Sequence, residues 1–492
     1  MISLFSPQDL LHPEISSSVQ DFFRIAYGLL LLGTLLLSLP QSKRFFISER
    51  WGGYGESLPD VNFIQNPRFY PFVMAFWILS ALLLIIGQWT VLAALINLLL
   101  CRYFFVYMRW KGVLRGMGAP GFMTYWLSLA VFMLELTAYY APDVQALALF
   151  VLQVDFAFIM LSAGIYKLNA GYPHNEGMEL GLVNPQWGYW WQLYARMSPG
   201  HWIIRLLNQL AWTTEIAAAI LMLFPPTRFI GAMLIIGSFI FIATQIRLGF
   251  LCEMVILCGF LYFYPGSLGD QVIHAIIPAQ SVVASLSPIA SIISPILTIL
   301  LWVYLILLPL AYGGLFYNFY GHKSLPKVLQ IFLERYTNFL GIIIWRVFSV
   351  DLVNFYILIY QQPRAGGPRT LISDYGWRGQ RYRHVGESIT ITSVFTTLKY
   401  YPSNSERFTE RLLRYAWTVP CPQESVLVFE YWSVRKANTH FEYVQIADYV
   451  VDLQANRVEE HTLSNVVSVR AAHAVSPVRE GVKPGSYVPL EQ

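Results

Sequence analysis

The sequence predicts an all-α polytopic membrane bundle of about nine spans, followed by a small β-rich soluble domain. Three observations predict it. Of 492 residues, 56% are hydrophobic and only 13% charged, with a mean hydropathy of +0.49; soluble chains of this size carry about 25% charged residues. Apolar stretches near the roughly 20 residues that cross a bilayer recur through the first two-thirds of the chain. Beyond "QQPRAGGPRT" at 361–370 the texture changes to runs rich in β-branched and aromatic residues, such as "SVLVFEYWSVRK" and "FEYVQIADYVVDLQANRVEEHTL". Those runs read as strands of a small antiparallel sheet.

Charge, proline and glycine bound the expected spans at 22–39, 71–87, 90–108, 121–140, 145–166, 202–224, 228–245, 249–264 and 291–317. "GQW" at 87–89 suits a tight turn between two helices, and Arg247-Leu248-Gly249 breaks another pair. The apolar residues 272–290 are interrupted by Pro278 and Pro288, which suits an interfacial or part-entering segment. The organisation expected is a membrane bundle over 1–320, amphipathic interfacial helices over 321–362, a β-rich domain over 363–475 and a loose tail over 476–492.

Lys and Arg set the orientation. The loops after odd-numbered spans hold Lys43, Arg44, Arg50 and Arg68, then Arg109, Lys111 and Arg115, then Lys167 and Arg196, then Arg247; Lys323 and Lys327 follow the last span. The loops after even-numbered spans hold almost none, Arg228 being the exception. This asymmetry predicts an outside N-terminus and a cytoplasmic C-terminal domain. "MISLFSPQDLLHPEISSS" lacks a basic region followed by an apolar core, so no cleaved signal peptide is expected and the first span acts as the targeting signal.

The net charge of +4 is small, and no basic run interleaved with aromatics suggests a nucleic-acid partner. Cys101, Cys252, Cys258 and Cys421 show no CxxC or Cys/His spacing, so they read as buried hydrophobes, and no metal is expected.

Seven ionisable residues fall in or at the edges of the apolar segments: Arg24, Arg102, Glu135, Asp155, Lys167, Glu215 and Glu253. A charge at the bilayer centre costs roughly 2.5 to 17 kcal/mol, depending on method, so such groups face the bundle interior and pair. Pairs that only fix helix packing would account for each of them, and Arg24 and Arg102 near helix ends could snorkel. Lys167 differs in its setting. It follows the apolar run "FAFIMLSAGIY" and precedes a helix stop at Asn169-Ala170-Gly171-Tyr172-Pro173. Desolvation there disfavours the ammonium form, and a partly buried amine can serve as a general base. An anchoring lysine at headgroup level is the alternative. The loop that follows, "YPHNEGMELGLVNPQWGYWWQLYARMSPGHW", has the aromatic density of a membrane interface and could cover the bundle mouth. Its His174 and Glu176 fit either a site or an ordinary solvated loop.

"LSAGIYKLNAGY", then "LAWTTEIAAAILMLF", then "FIATQIRLGFLCEMVILCGFLYF" resemble the HTTM (horizontally transferred transmembrane) domain, the membrane domain of vitamin K-dependent gamma-carboxylase and its bacterial relatives. The resemblance covers about residues 20–320 and is sharpest at Ala163-Gly164-x-x-Lys167-Leu168. It implies that Lys167 falls on the lysine that deprotonates reduced vitamin K. The resulting anion reacts with oxygen and becomes the base that removes a glutamyl γ-proton before CO2 is added. Glu215 falls on an acidic position of the following membrane helix. Tyr166 stands where the carboxylase has a second lysine, and "FIATQ" at 241–245 lacks its histidine. Nothing from residue 370 on matches its propeptide- and substrate-binding region.

The expectation is therefore quinol or isoprenoid chemistry, as an epoxidase-like oxygenase or a carboxylase. A reduced vitamin K-like quinone is the implied cofactor, Lys167 and Glu215 the catalytic candidates, and Asp155, His174 and Glu253 the candidates that bind the cofactor's polar ring. The alternative is a non-catalytic membrane maturation or assembly factor that docks a protein partner through its β-rich tail. A transporter is disfavoured because no paired repeats with broken helices are visible.

Overall fold

A computed structural model describes residues 12–53, 62–107, 118–277, 290–346, 350–373, 386–400, 402–403 and 405–468. The apolar part is a helical bundle. Helix α1, Ser17–Ser38, starts at Ser16, whose hydroxyl accepts from the Val19 amide at 3.2 Å. Helices α2 (Tyr70–Ile86) and α3 (Thr90–Cys101) form a hairpin through Gly87 and Trp89, both at positive φ, which is the turn expected at "GQW". There follow α4 (Gly118–Tyr140), α5 (Gln145–Asn169), α6 (Trp202–Leu223), α7 (Arg228–Gln245), α8 (Leu251–Gly259), α9 (Leu268–Ile276) and α10 (Ala290–Gly321).

Among the described residues six apolar helical segments are long enough to cross a membrane: Ser17–Gln41, Ala119–Tyr140, Pro142–Asn169, Trp202–Leu223, Pro225–Gln245 and Ser291–Gly321. The other three expected spans meet shorter apolar helices, Tyr70–Ile86, Thr90–Val106 and Leu251–Tyr262. Length is the reason. At 1.5 Å per residue, α2 reaches about 26 Å and α8 only about 14 Å, against a hydrocarbon core of about 30 Å. The outward faces are apolar: Ile292, Ile296, Ile299, Leu300, Ile306 and Leu310 of α10 are all exposed. Lipid is the environment that suits such a surface, and together with the several helices long and apolar enough to cross a bilayer it suggests a membrane protein.

Helix α9 ties back to the N-terminus, with Ser18 Oγ 2.9 Å from His274 Nδ1 and Ser16 donating to Asp270. The rest of the expected interfacial segment, 278–289, lies outside the described residues, as do Arg109, Lys111, Arg115 and the tail 476–492.

Among the described residues of 321–362 the chain forms helix α11 (Lys327–Leu340), with Val328, Leu329, Phe332 and Phe339 exposed, and the short helix Val350–Val353. The helical expectation fails from Phe355, where strand β1 (Phe355–Pro363) begins. "FYILIY" lacks alternation because both faces of this strand are covered, which hides its period.

Strands β2 (Thr370–Ser373), β3 (Ser425–Lys436), β4 (Phe441–Asp452) and β5 (Arg457–Ser468) complete an antiparallel sheet in the order β2-β1-β3-β4-β5. Phe355, Ile357 and Ile359 face one way, into a core with Phe395, Phe408, Leu412 and Tyr415. Those four belong to helices α12 (Gly386–Tyr400) and α13 (Ser405–Ala416). Tyr356 faces the other way, into the core shared with the bundle. In β3, alternation alone puts Leu427 and Phe429 on the helix side and Trp432 and Val434 on the bundle side, whereas in β4 the bulge between Gln445 and Ala447 reverses the face, so Phe441 and Tyr443 join the bundle core and Tyr449 and Val451 join the helices. The C-terminal part is thus a sheet with two helices rather than strands alone. "SITITSVFTTL" has strand-like composition, yet packing against the sheet makes it α12.

At the end of the sheet, Arg364 Nη2 donates to Asp452 Oδ1 at 2.6 Å, and the Gln454 and Ala455 amides donate to the same oxygen at 2.9 Å. The Arg364 hydrogen bond, with the Ala455 amide next, holds the Asp452 carboxyl down at about 2. A depressed carboxyl contributes stability that is present above its unfolded value near about 4 and lost as pH falls through its folded value. Asp452→Asn should therefore flatten the acid limb of stability between about pH 4 and pH 2, read by pulse proteolysis of the sheet; an unchanged acid limb would contradict this account.

Candidate functional site

Helices α5 and α6 pack closely because Gly164 has no side chain. A Cβ there would lie 3.1 Å from the Ile216 amide nitrogen and 3.2 Å from the Trp212 carbonyl. Lys167 comes one turn after Gly164 on the same face of α5, and Glu215 lies in α6 between Trp212 and Ile216, the residues that Gly164 meets. The Lys167 ammonium nitrogen donates to Glu215 Oε1, with side chains only 6% and 3% exposed. The second oxygen, Glu215 Oε2, is buried without a hydrogen-bond partner. The close approach of two helices thus places an amine and a carboxylate in contact in an apolar bundle, with one acceptor lone-pair set unused.

The chain leaves α5 through Gly171 at φ 96°, which turns it back over this pair. Tyr172 is fully buried, its ring lying against Gly177, where no Cβ would fit. Burial pushes the Tyr172 phenol well up, and the charges of Glu215, Tyr166 and Glu179 push it the same way. Glu179 is the next buried acid. Its Oε2 accepts from the Gly177 amide at 2.9 Å and from Asn208 Nδ2 of α6 at 3.0 Å. Lys436 at the end of β3 reaches to 3.7 Å from Glu179 Oε1 and donates to the Asn175 carbonyl at 2.7 Å. Sheet, loop and α6 are therefore joined beside the Lys167–Glu215 pair.

The same loop is fixed further along. Asn184 Nδ2 donates to the Val353 and Phe355 carbonyls at 2.7 and 2.8 Å, and Tyr443 OH donates to the Val183 carbonyl at 2.7 Å. Gln186 Nε2 donates to Thr392 Oγ1 at 2.9 Å. Arg247 Nη1 donates to the Pro185 carbonyl at 2.7 Å, and the Arg247 amide donates to the Trp187 carbonyl at 2.8 Å. The break at Arg247–Gly249 is where the bundle grips the loop.

The other candidate residues lie elsewhere. Asp155 accepts from Trp126 Nε1 at 2.9 Å, with Tyr304 alongside. Twelve residues of α5 separate it from Lys167, about 18 Å. His174 is exposed in the short turn Tyr172–His174. Glu253 sits in the first turn of α8, a helix that packs on α1, α4 and α7. Asp155, His174 and Glu253 therefore do not converge on the Lys167–Glu215 contact. Arg24 and Glu135 belong to a separate network: Arg24 Nη2 donates to Asp21 at 2.8 Å, its Nε lies 3.7 Å from Glu135, and Gln20 Nε2 donates to Glu135 at 3.2 Å. Among the described residues no group of three or more His, Cys, Asp or Glu side chains is arranged to hold a metal ion.

Sequence reading missed Tyr172, Glu179 and Lys436. Glu179 was findable as an acid inside the apolar stretch "GMELGLV"; Lys436 carried no such signal, because only the sheet brings it to the loop.

No family model, curated protein or solved structure matches the chain.

Gly164→Ala should force α5 and α6 apart, costing about 2 kcal/mol. The expected outcome is a lower Tm by intrinsic tryptophan fluorescence in detergent. An unchanged Tm would mean that the helix approach does not depend on this glycine.

Proposed function

We propose that this chain is a membrane enzyme of the gamma-carboxylase-like superfamily, built on an HTTM-type bundle whose three shorter helices complete nine spans. On this reading the Lys167–Glu215 pair is the base for a quinol-dependent oxygenase, of epoxidase or carboxylase type, and the C-terminal domain is cytoplasmic. The observation that carries the reading is the buried amine–carboxylate contact with Glu215 Oε2 left unpartnered. Asp21 Oδ2 beside Arg24 is also buried without a hydrogen-bond partner; Glu215 differs in that its one partner is an amine, which can take up or release a proton.

The donor set fits a quinol. An isoprenoid chain needs apolar surface, and a hydroxyl needs one strong acceptor. The quinol, when bound, supplies the electrons that reduce dioxygen. The residues handle protons. The pair holds one proton between amine and carboxylate, and in either arrangement one basic atom remains. It takes one more proton from a bound hydroxyl and ends as ammonium and carboxylic acid. Lys167 binds and orients, Glu215 Oε2 is the nearest open acceptor, and the Tyr172 loop excludes water from both.

One observation favours the second reading, a maturation or assembly factor with a protein partner at the tail. Strand β5 is an outer strand of the sheet, and a free edge can take up an added strand. Its Arg457, Glu459, Glu460 and His461 make that edge strongly charged, which suits a selective partner better than indiscriminate pairing.

Oxygen uptake by purified protein with reduced phylloquinone tests the enzyme reading. Lys167→Met should lower the rate by about 100-fold or more, with Glu215→Gln also impaired. Retention of the wild-type rate in Lys167→Met would remove the base assignment. Mass spectrometry of extracted lipids should find a co-purifying quinone; its absence, with a tail-dependent protein partner, would move the second reading ahead.

A further inference from the structure

Arg102 is the intramembrane charge that neither the site nor the packing networks use. It follows α3 directly, within the apolar helical segment Thr90–Val106. Arg24 has two acids and Lys167 has one. Arg102 has no acid partner among the described residues, and its Nη1 is buried with no hydrogen bond. The guanidinium lies 4.6 Å from the ring centroid of Phe339, near the end of α11. Tyr125 of α4 is beside it and donates to the Leu340 carbonyl at 3.1 Å. Gly341 passes against Tyr125 and Val106, so α3, α4 and α11 converge here. Asp155, the acid whose charge also reaches Tyr125, is turned to Trp126 and Tyr304 instead.

A guanidinium held on an aromatic face gains about 0.5 to 2 kcal/mol. That is less than a fully buried ion costs, and the half-buried guanidinium, whose Nη1 is buried without a hydrogen bond, gains from a counter-charge. The surroundings say what kind. Phe339 is 66% exposed although it forms the floor under the cation, and Leu99, one turn earlier on the same face of α3, is 57% exposed. Leu92 continues that strip and is also exposed. An anion with long apolar chains fits this arrangement; a small soluble anion leaves the strip bare.

We propose that Arg102 and Phe339 form a binding site for an anionic phospholipid, with the phosphate on the Arg102 guanidinium and the acyl chains over Phe339 and the Leu92–Leu99 strip. Planar guanidinium donors match phosphate oxygens in pairs. The charge asymmetry of the loops puts this end of α3 at the cytoplasmic leaflet, where anionic lipids concentrate. The lipid would pin α11 to the bundle through Phe339.

The test uses full-length protein stripped of lipid in dodecyl maltoside. Phosphatidylglycerol, phosphatidylcholine with the same acyl chains, and inorganic phosphate are each titrated in, with Tm and native mass spectrometry as readouts. Phosphatidylglycerol should raise Tm by a few degrees and bind about tenfold more tightly than phosphatidylcholine, while inorganic phosphate should do neither. Arg102→Gln should abolish the preference, and Arg102→Lys should keep part of it. Equal responses to the two lipids, or a preference that survives in Arg102→Gln, would overturn the site. A response to phosphate alone would make it a simple anion site and overturn the lipid assignment. Should Arg102→Gln fail to fold, photo-crosslinking of wild-type protein with a diazirine phosphatidylglycerol decides. Labelled peptides must come from 92–107 and 332–341, and labelling elsewhere rejects the proposal.

Discussion

Lys167 and Glu215 can be buried in an apolar bundle only because each neutralises the other. Either charge alone would cost several kcal/mol there. Together they require that α5 and α6 approach closely at one level, and Gly164 makes that approach possible. The Tyr172–Gly177 turn then packs over the same level, with Glu179 held by Asn208 of the helix that carries Glu215. Much of the middle of the protein is arranged around this one neutral pair.

The same constraint governs the rest of the bundle. Arg24 draws on Asp21, Glu135 and the Leu84 carbonyl; Asp155 draws on the indole of Trp126. Gln145 of α5 donates to Gln20 of α1, whose own amide donates to Glu135. Polar side chains in lipid have no water to fall back on, so each one selects which helices are neighbours. Unused capacity stands out against that background. Glu215 Oε2 and Arg102 Nη1 are two such buried atoms, of opposite character, among several that have no hydrogen-bond partner.

The loop 171–190 is the mechanical link between bundle and sheet. It gives carbonyl acceptors to Lys436, Tyr443 and Arg247, and its Asn184 and Gln186 amides reach the start of β1 and α12. These are bonds to backbone or between buried groups, so they fix orientation as well as proximity. The sheet is held on one face by its own two helices and on the other by this loop and the bundle. A chain segment rich in tryptophan and tyrosine is thereby ordered by hydrogen bonds to the sheet and the bundle.

Apolar length and charge placement were legible in the residues themselves. Among the described residues they located six apolar helices of membrane-crossing length and three shorter ones where spans were expected, the turn at Gly87–Trp89, the break at Arg247–Gly249 and the strands after residue 424, because those signals are local in sequence. Lys167 and Glu215 were legible as charges out of place in apolar runs. Their contact was not, since it depends on the crossing of α5 and α6. Neither was the strand at Phe355, whose two covered faces erase the alternation, nor helix α12, whose threonines and isoleucines favour a strand until the sheet packs against them. The roles of Glu179 and Lys436, 257 positions apart, were set only when β3 brought its end to the loop. Hydrophobicity is written residue by residue, whereas charge neutralisation in a low-dielectric interior is a property of pairs, and pairs exist only once the chain has folded.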